Sequence, residues 1–206
     1  KENVGRGFGI GLLAAGSRPV STAFARLEAE GVVTVLVSTT ELGQGARTAM
    51  SQLVSEVLAI PLSQIRVPDG DTMVTPYDRS TGASRSTTLA GGAVHEAAID
   101  LKYQLVDIAS LMWDVPKESI SFDNGNVISG DHTATFPDLL EHHFGFVGGE
   151  LFGKGIIRPE LGKGTYSAGP VFWEVCIGGV ELTLDFETGK IKLNKVVSVA
   201  DVGKAV

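Results

Sequence analysis

Hydrophobic and polar positions change period several times along the chain, and each change marks an element. Between residues 21 and 38, Thr22, Phe24 and Arg26 alternate with Ala23, Ala25 and Leu27. Glu30-Gly31 then supplies a turn, and the β-branched run Val32 to Val37 returns. This predicts an antiparallel hairpin. From Ala46 the period lengthens: Met50, Leu53, Val54, Val57 and Leu58 fall at the spacing of a helix packed on one face, and Pro61 ends it. Gln64 to Val67 reads as a short strand closed by the turn PDGDT. Leu89, Ala93, Ala97, Leu101, Leu105, Ile108 and Met112 predict a long helix to about residue 113.

Segments 119–122 and 125–128 pair around DNGN, and His142-His143 close a short helix. Residues 145–171 are glycine-rich and read as irregular. Val180, Leu182, Leu184 and Phe186 alternate with polar partners, ETGK turns the chain, and Ile191 and Leu193 begin the return of a long hairpin. Hairpins interleaved with two main helices give an α+β class, with antiparallel hairpins and a mixed sheet packed on the helices. The expected organisation is one domain over 1–206, with a sub-division near 145–171. No internal repeat is visible.

Composition narrows the function classes. The chain has 206 residues, 43% hydrophobic and 20% charged, the balance of a globular protein able to bury a core. Lys and Arg total 17 against 24 Asp and Glu, a net charge of -7, which lacks the basic footprint of a nucleic-acid binder. No apolar run approaches the roughly 20 residues that span a bilayer. The N-terminus has no signal-peptide pattern, so a cytoplasmic setting is expected. Cys176 is the single cysteine, in the apolar run WEVCIGG, and reads as a small buried hydrophobe. Both ends read as cut from something longer.

Candidate chemistry is sparse. Gly9-Ile10-Gly11-Leu12-Leu13-Ala14 formally fits a dinucleotide fingerprint, but no buried strand precedes it, and Gly16 and Pro19 follow. A glycine-rich strand lying close to another backbone explains it better. Two strand-to-helix loops are more informative: ELGQG before Ala46 and STGASRST before the long helix. Helix N-termini carry unpaired N–H groups, and glycine lets a backbone approach a ligand. Each loop alone is better explained by a turn and its own helix cap; two together shift the balance towards one polar, phosphate-bearing ligand. The four histidines show no metal-ligand spacing, GASRS is not a nucleophile elbow, and no carboxylate pair stands out.

Three blocks then resemble one family. TELGQGARTAMSQLVSEVLAIPLSQIRV, GDTMVTPYDRSTGASRSTTLAGGAVHEAA and WEVCIGGVELTLDFETGKIKLNKVVSVADVGKAV resemble the molybdenum-binding part of the xanthine dehydrogenase and aldehyde oxidase family of molybdenum hydroxylases. The resemblance implies part of a molybdopterin-binding domain. It implies hydroxylation of a purine, aldehyde or N-heterocycle with water as the oxygen source. The cofactor would be molybdopterin, often as its cytosine dinucleotide, with molybdenum held by the pterin. FAD and 2Fe-2S clusters would sit on partner domains or subunits, and the rest of the molybdenum subunit would complete the site. It implies cofactor contacts at Gly43, Gln44, Gly45, Ser84, Arg85, Ser86 and Thr87, with Gly82 and Ala83 beside metal and substrate. The family's general-base glutamate lies downstream of the matching segment, so neither Glu41 nor Glu174 is assigned as catalyst, and the isolated chain is expected to be inactive. The competing reading is a cofactor-free structural or assembly module that keeps the fold.

Overall fold

Two glycines in one strand decide how closely the long helix lies on the sheet. In the computed structural model, which describes residues 3–16, 20–146, 148–158 and 170–203, the chain divides into two compact units. One is continuous, Arg18–Glu160; the other joins the two ends, Lys1–Ser17 and Leu161–Ala205.

The continuous unit is built on strands β2 (Ser21–Leu27), β3 (Val33–Val37), β4 (Ile65–Arg66) and β8 (Leu151–Ile157), in the order β4-β3-β2-β8. β2 runs antiparallel to β3 and to β8, whereas β4 is parallel to β3, pairing Val33 with Ile65. The expected hairpin is therefore present, and the parallel edge strand makes the sheet mixed. Helices α1 (Ala46–Leu58) and α2 (Gly91–Trp113) pack on one face. Ala23, Ala25 and Leu27, then Val33, Val35 and Val37, meet Met50, Val54 and Leu58 of α1 and Ala93, Ala97, Leu101 and Leu105 of α2 in one core. A short helix, α3 (Phe136–Phe144), opens on a Thr135–Asp138 capping box.

β8 falls inside the stretch expected to be irregular. Its inward positions are Leu151, Gly153 and Gly155, so the apolar alternation that marks a strand is hidden by glycine. The reason is contact with α2. A Cβ on Gly153 would lie 2.0 Å from the Ala97 carbonyl oxygen, and one on Gly155 would lie 1.9 Å from that of Ala93. Only glycine permits helix backbone to sit on strand backbone at this height.

A second small sheet joins β5 (Ser121–Asp123), β6 (Asn126–Ser129) and β7 (His132–Thr135). It contains the expected hairpin and places His132 at the start of β7. There its ring stacks on Trp113, with centroids 5.4 Å apart.

In the unit made of the two ends, β1 (Val4–Ala15), β9 (Phe172–Leu184) and β10 (Ile191–Ala200) form an antiparallel sheet with β9 in the centre. The glycine run is thus a strand, paired from Val4↔Thr183 to Ala15↔Phe172, and not a dinucleotide loop. A Cβ on Gly11 would lie 2.8 Å from the Cys176 sulfur, which accounts for that glycine. Cys176 itself is exposed, contrary to the buried position its apolar neighbours suggested. Phe8, Ile10, Leu193 and Val199 are also exposed on this sheet.

Candidate functional site

β3 ends at Val37, and the chain reaches α1 through residues 38–45. Gly45 precedes the helix in the left-handed region (φ 80°), Gly43 is also left-handed (φ 97°), and no side chain of the N-cap residue closes the helix end. Glu41 does so from a distance. Its Oε1 accepts from the amides of Gly43 (2.8 Å) and Gly45 (3.0 Å), and its Oε2 from the amide of Arg47 (3.1 Å). These backbone hydrogen bonds, with that from Gly45 the largest contribution, hold the carboxyl below the usual carboxylate range, and the Arg47 charge adds to the effect. Arg47 itself pairs with Asp69. The Gln44 side chain also turns back on the loop, with Nε2 donating to the Thr40 carbonyl (2.8 Å) and Oε1 accepting from the Leu42 amide (2.6 Å).

The second loop hangs from the start of β2. Ser21 bridges to Asp78, and Thr22 donates its amide to the Tyr77 carbonyl. Arg85 pins the loop from below. Its side chain is 1% exposed and forms an ion pair with Asp78 (3.0 Å), itself 2% exposed. It donates further to the Val20 carbonyl (2.9 Å), Ser21 Oγ (3.1 Å) and the Ser80 carbonyl (3.3 Å). The guanidinium of Arg85 is thus committed inward, where it holds the loop.

Above that anchor the backbone is unusual. Ala83 and Ser84 are consecutive non-glycine residues in the left-handed region (φ 52° and 51°). Each such residue costs on the order of 1 kcal/mol or more, and strain of this kind gathers at functional sites. Ser86–Ala90 then forms a π-turn leading into α2. Single π-turns inside helices are frequent at functional sites. The first backbone bonds of this end are donated by Leu89 and Ala90 to the Arg85 carbonyl, so the amides of Ser86, Thr87 and Thr88 precede the ladder.

The two loops meet. The Thr39 hydroxyl donates to Ser86 Oγ (2.9 Å), and the Thr40 amide donates to Thr81 Oγ1 (2.6 Å). Thr39 is buried, while Gly43, Gln44, Gly45, Gly82, Ala83, Ser84 and Thr87 are exposed. A Cβ built on Gly43, Gly45 or Gly82 meets no atom within 4 Å, so both loops border open space. The sequence-predicted residues are thus brought to one surface, apart from the buried guanidinium.

The helix ends are not equivalent, however. That of α1 is already filled by the protein's own carboxylate, and that of α2 is lined by the hydroxyls of Ser86 and Thr87. Such a surface offers neutral hydrogen-bond donors, with an anion preference at the α2 end alone. These features fit a polar ligand carrying a phosphate. Sequence reasoning missed Glu41, Thr39, Thr81 and Asp78. For Glu41 a signal existed, since a carboxylate just ahead of a helix favours its positive end. Among the described residues no group of three or more His, Cys, Asp or Glu side chains could hold a metal ion, and no helix is long and apolar enough to cross a membrane.

Comparison with known proteins places the chain in a family. Residues 1–206 match the molybdopterin cofactor-binding domain family. The chain is 29% identical over 214 residues to a putative xanthine dehydrogenase molybdenum-binding subunit, XdhA, of Escherichia coli K12, covering 98% of this chain and 27% of that one. It is 29% identical over 195 residues to the nicotine 6-hydroxylase large subunit of Paenarthrobacter nicotinovorans, covering 88% and 22%. Among solved structures, quinoline 2-oxidoreductase from Pseudomonas putida 86 superposes with a TM-score of 0.81 at 19% identity, covering 98% of this chain and 27% of that one. A Cu,Mo-CO dehydrogenase gives 0.82 at 22%, covering 98% and 26%. The chain therefore spans about a quarter of the length of the relatives it matches.

Proposed function

Because the chain belongs to the molybdopterin cofactor-binding domain family, among the large subunits of molybdenum hydroxylases, we propose that its two stitched loops form one wall of the cofactor site of such an oxidoreductase. The observation that carries this reading is the juncture of Thr39 with Ser86 and Thr40 with Thr81. It joins the Gly43-Gln44-Gly45 loop to the left-handed Ala83-Ser84 turn on one open surface.

In this reading Gly43, Gln44 and Gly45 contact the pterin from one side, and Ser84, Ser86 and Thr87 from the other. Gly82 and Ala83 border the metal and substrate, where small side chains keep the approach clear. The bound molybdenum centre would supply two-electron oxidation of a purine, aldehyde or N-heterocycle, with water as the source of oxygen. The chain's own residues bind, orient and exclude water. No carboxylate of the chain is assigned as general base. Glu41 already accepts three backbone N–H bonds, and the family resemblance implies that the general base belongs to the remainder of the subunit. The cytosine dinucleotide form of the cofactor, and FAD and 2Fe-2S centres on partner subunits, belong to the same proposal. Relatives named as large or molybdenum-binding subunits support the presence of partner subunits.

The test uses the full-length subunit in its complex, assayed for molybdenum, pterin and turnover. Molybdenum and pterin are expected in the wild type. Ala83→Phe is expected to abolish turnover while both are retained, because the ring fills space and removes no hydrogen bond. Absence of molybdenum and pterin from the wild type would overturn the reading in favour of a cofactor-free assembly module. Normal turnover of Ala83→Phe would overturn the placement beside the metal. The isolated 206-residue chain is expected to retain little cofactor and no activity.

A further inference from the structure

The Gly43-Gln44-Gly45 loop is held by a group that is not itself directed at a ligand. Glu41 Oε1 receives the amides of both glycines and Oε2 receives that of Arg47, so one carboxylate closes three consecutive alternate positions around it. Gln44 lies between the two anchored glycines. Its side chain is fixed at both ends, Nε2 to the Thr40 carbonyl and Oε1 to the Leu42 amide. A glutamine amide has two N–H donors and two acceptor lone pairs, which leaves one of each beyond these bonds. Gln44 is exposed, so an immobilised amide with one N–H left over lies at the surface.

We infer that Glu41 is a positioning residue of the cofactor loop: by occupying the amides at the start of α1, it converts a potential anion site into a fixed frame that presents Gln44 as a neutral hydrogen-bonding group. The inference rests on the proposed cofactor role and assigns the loop's share of it. A phosphate is excluded from the α1 end, where it would displace and face a carboxylate. The Gln44 loop then meets the ligand through neutral hydrogen bonds.

The test measures molybdenum per subunit in the purified full-length complex, and its rate of loss on dilution, for wild type, Glu41→Ala, Glu41→Gln, Gln44→Ala and the Glu41→Ala/Gln44→Ala double variant. Glu118→Gln, at an exposed position, serves as the control. Glu41→Ala and Gln44→Ala are each expected to speed loss about fivefold, the scale of removing one helix-end cap. Glu41→Gln keeps the acceptor for the two glycines but turns an NH2 towards the Arg47 amide, and is expected to fall between wild type and Glu41→Ala. If Glu41 acts through Gln44, the double variant loses molybdenum no faster than Gln44→Ala alone, a non-additivity that mere weakening of the fold would not produce. Additive single effects, or wild-type retention in Glu41→Ala, overturn the inference. Should Glu41→Ala fail to fold, Glu41→Gln decides, and wild-type retention there overturns it. A wild type that contains no molybdenum overturns the parent reading and this inference with it.

Discussion

Replacing Gly155 by alanine adds one methyl group where there is no room for it. Its Cβ would lie 1.9 Å from the Ala93 carbonyl oxygen and 2.7 Å from the Ala97 amide nitrogen, whereas ordinary contact begins at 3.4 Å. The shortfall of about 1.5 Å falls on helix backbone, which cannot rotate away as a side chain can. Extra methyl groups in packed cores cost about 1–3 kcal/mol, and a backbone obstacle puts Gly155→Ala at the upper end, about 3 kcal/mol. For a chain of this size each kcal/mol lowers Tm by about 2–4 °C, so a fall of about 6–12 °C is expected. Gly153→Ala should behave alike, since its Cβ would lie 2.0 Å from the Ala97 carbonyl oxygen. Gly178→Ala, in β9 with no atom within 4 Å, is the control and should change stability by less than about 0.5 kcal/mol. Thermal unfolding followed by circular dichroism checks all three. A fall below about 2 °C for both β8 variants would refute the claim that helix height is set by bare backbone. Because α2 begins at the candidate site, Gly155→Ala in the full-length complex should also weaken cofactor retention.

Asp78→Ala leaves the buried Arg85 guanidinium without its carboxylate and should destabilise by about 3 kcal/mol, with Asp78→Ala/Arg85→Leu recovering part of that loss in thermal unfolding. Ser84→Gly relieves one left-handed residue but frees the unfolded chain, so its net effect should be neutral to about 1 kcal/mol stabilising; a loss above 1 kcal/mol in denaturant unfolding would contradict the strain assigned there. Glu28 accepts from Thr34 Oγ1 (2.7 Å) and Arg26 (2.8 Å), with Arg66 3.5 Å away. The Thr34 bond first, then the arginines, depress its carboxyl from the ordinary 4.5. Its stabilisation is therefore complete above that value and is lost as pH falls through the lower folded value. Tm measured from about pH 6 to about pH 3 should decline, and Glu28→Gln should flatten part of that decline.

Legibility in the sequence followed side-chain periodicity and failed where glycine or hydrogen bonding carried the structure. The β2–β3 hairpin and α1 were readable because Ala23, Ala25 and Leu27, then Met50, Val54 and Leu58, supply the core that their spacing announces. β8 was not, because Gly153 and Gly155 occupy its inward face. The parallel pairing of β4 with β3 rests on two register pairs, too few for any pattern to declare. At the candidate site, glycine and hydroxyl content singled out the two loops. What stayed hidden was direction: whether Arg85 points in or out, and whether the amides around Gln44 face a ligand or Glu41. Both depend on partners, Asp78 and Glu41, that carry no motif of their own.

The glycine alternation of β1 has a bearing on synthesis. Among the described residues β1 pairs with β9, and Val4 meets Thr183, so the segments between them must be synthesised before this strand acquires that neighbour. In the interval a segment bearing Phe8, Ile10 and Leu12 is available to other nascent chains. Gly5, Gly7, Gly9 and Gly11 occupy every second position of that segment. Glycine has low strand propensity and nothing to interdigitate in a steric zipper. The same spacing that imitates a nucleotide fingerprint thus disfavours wrong pairing of β1 in the interval before the side-chain-rich β9 is made.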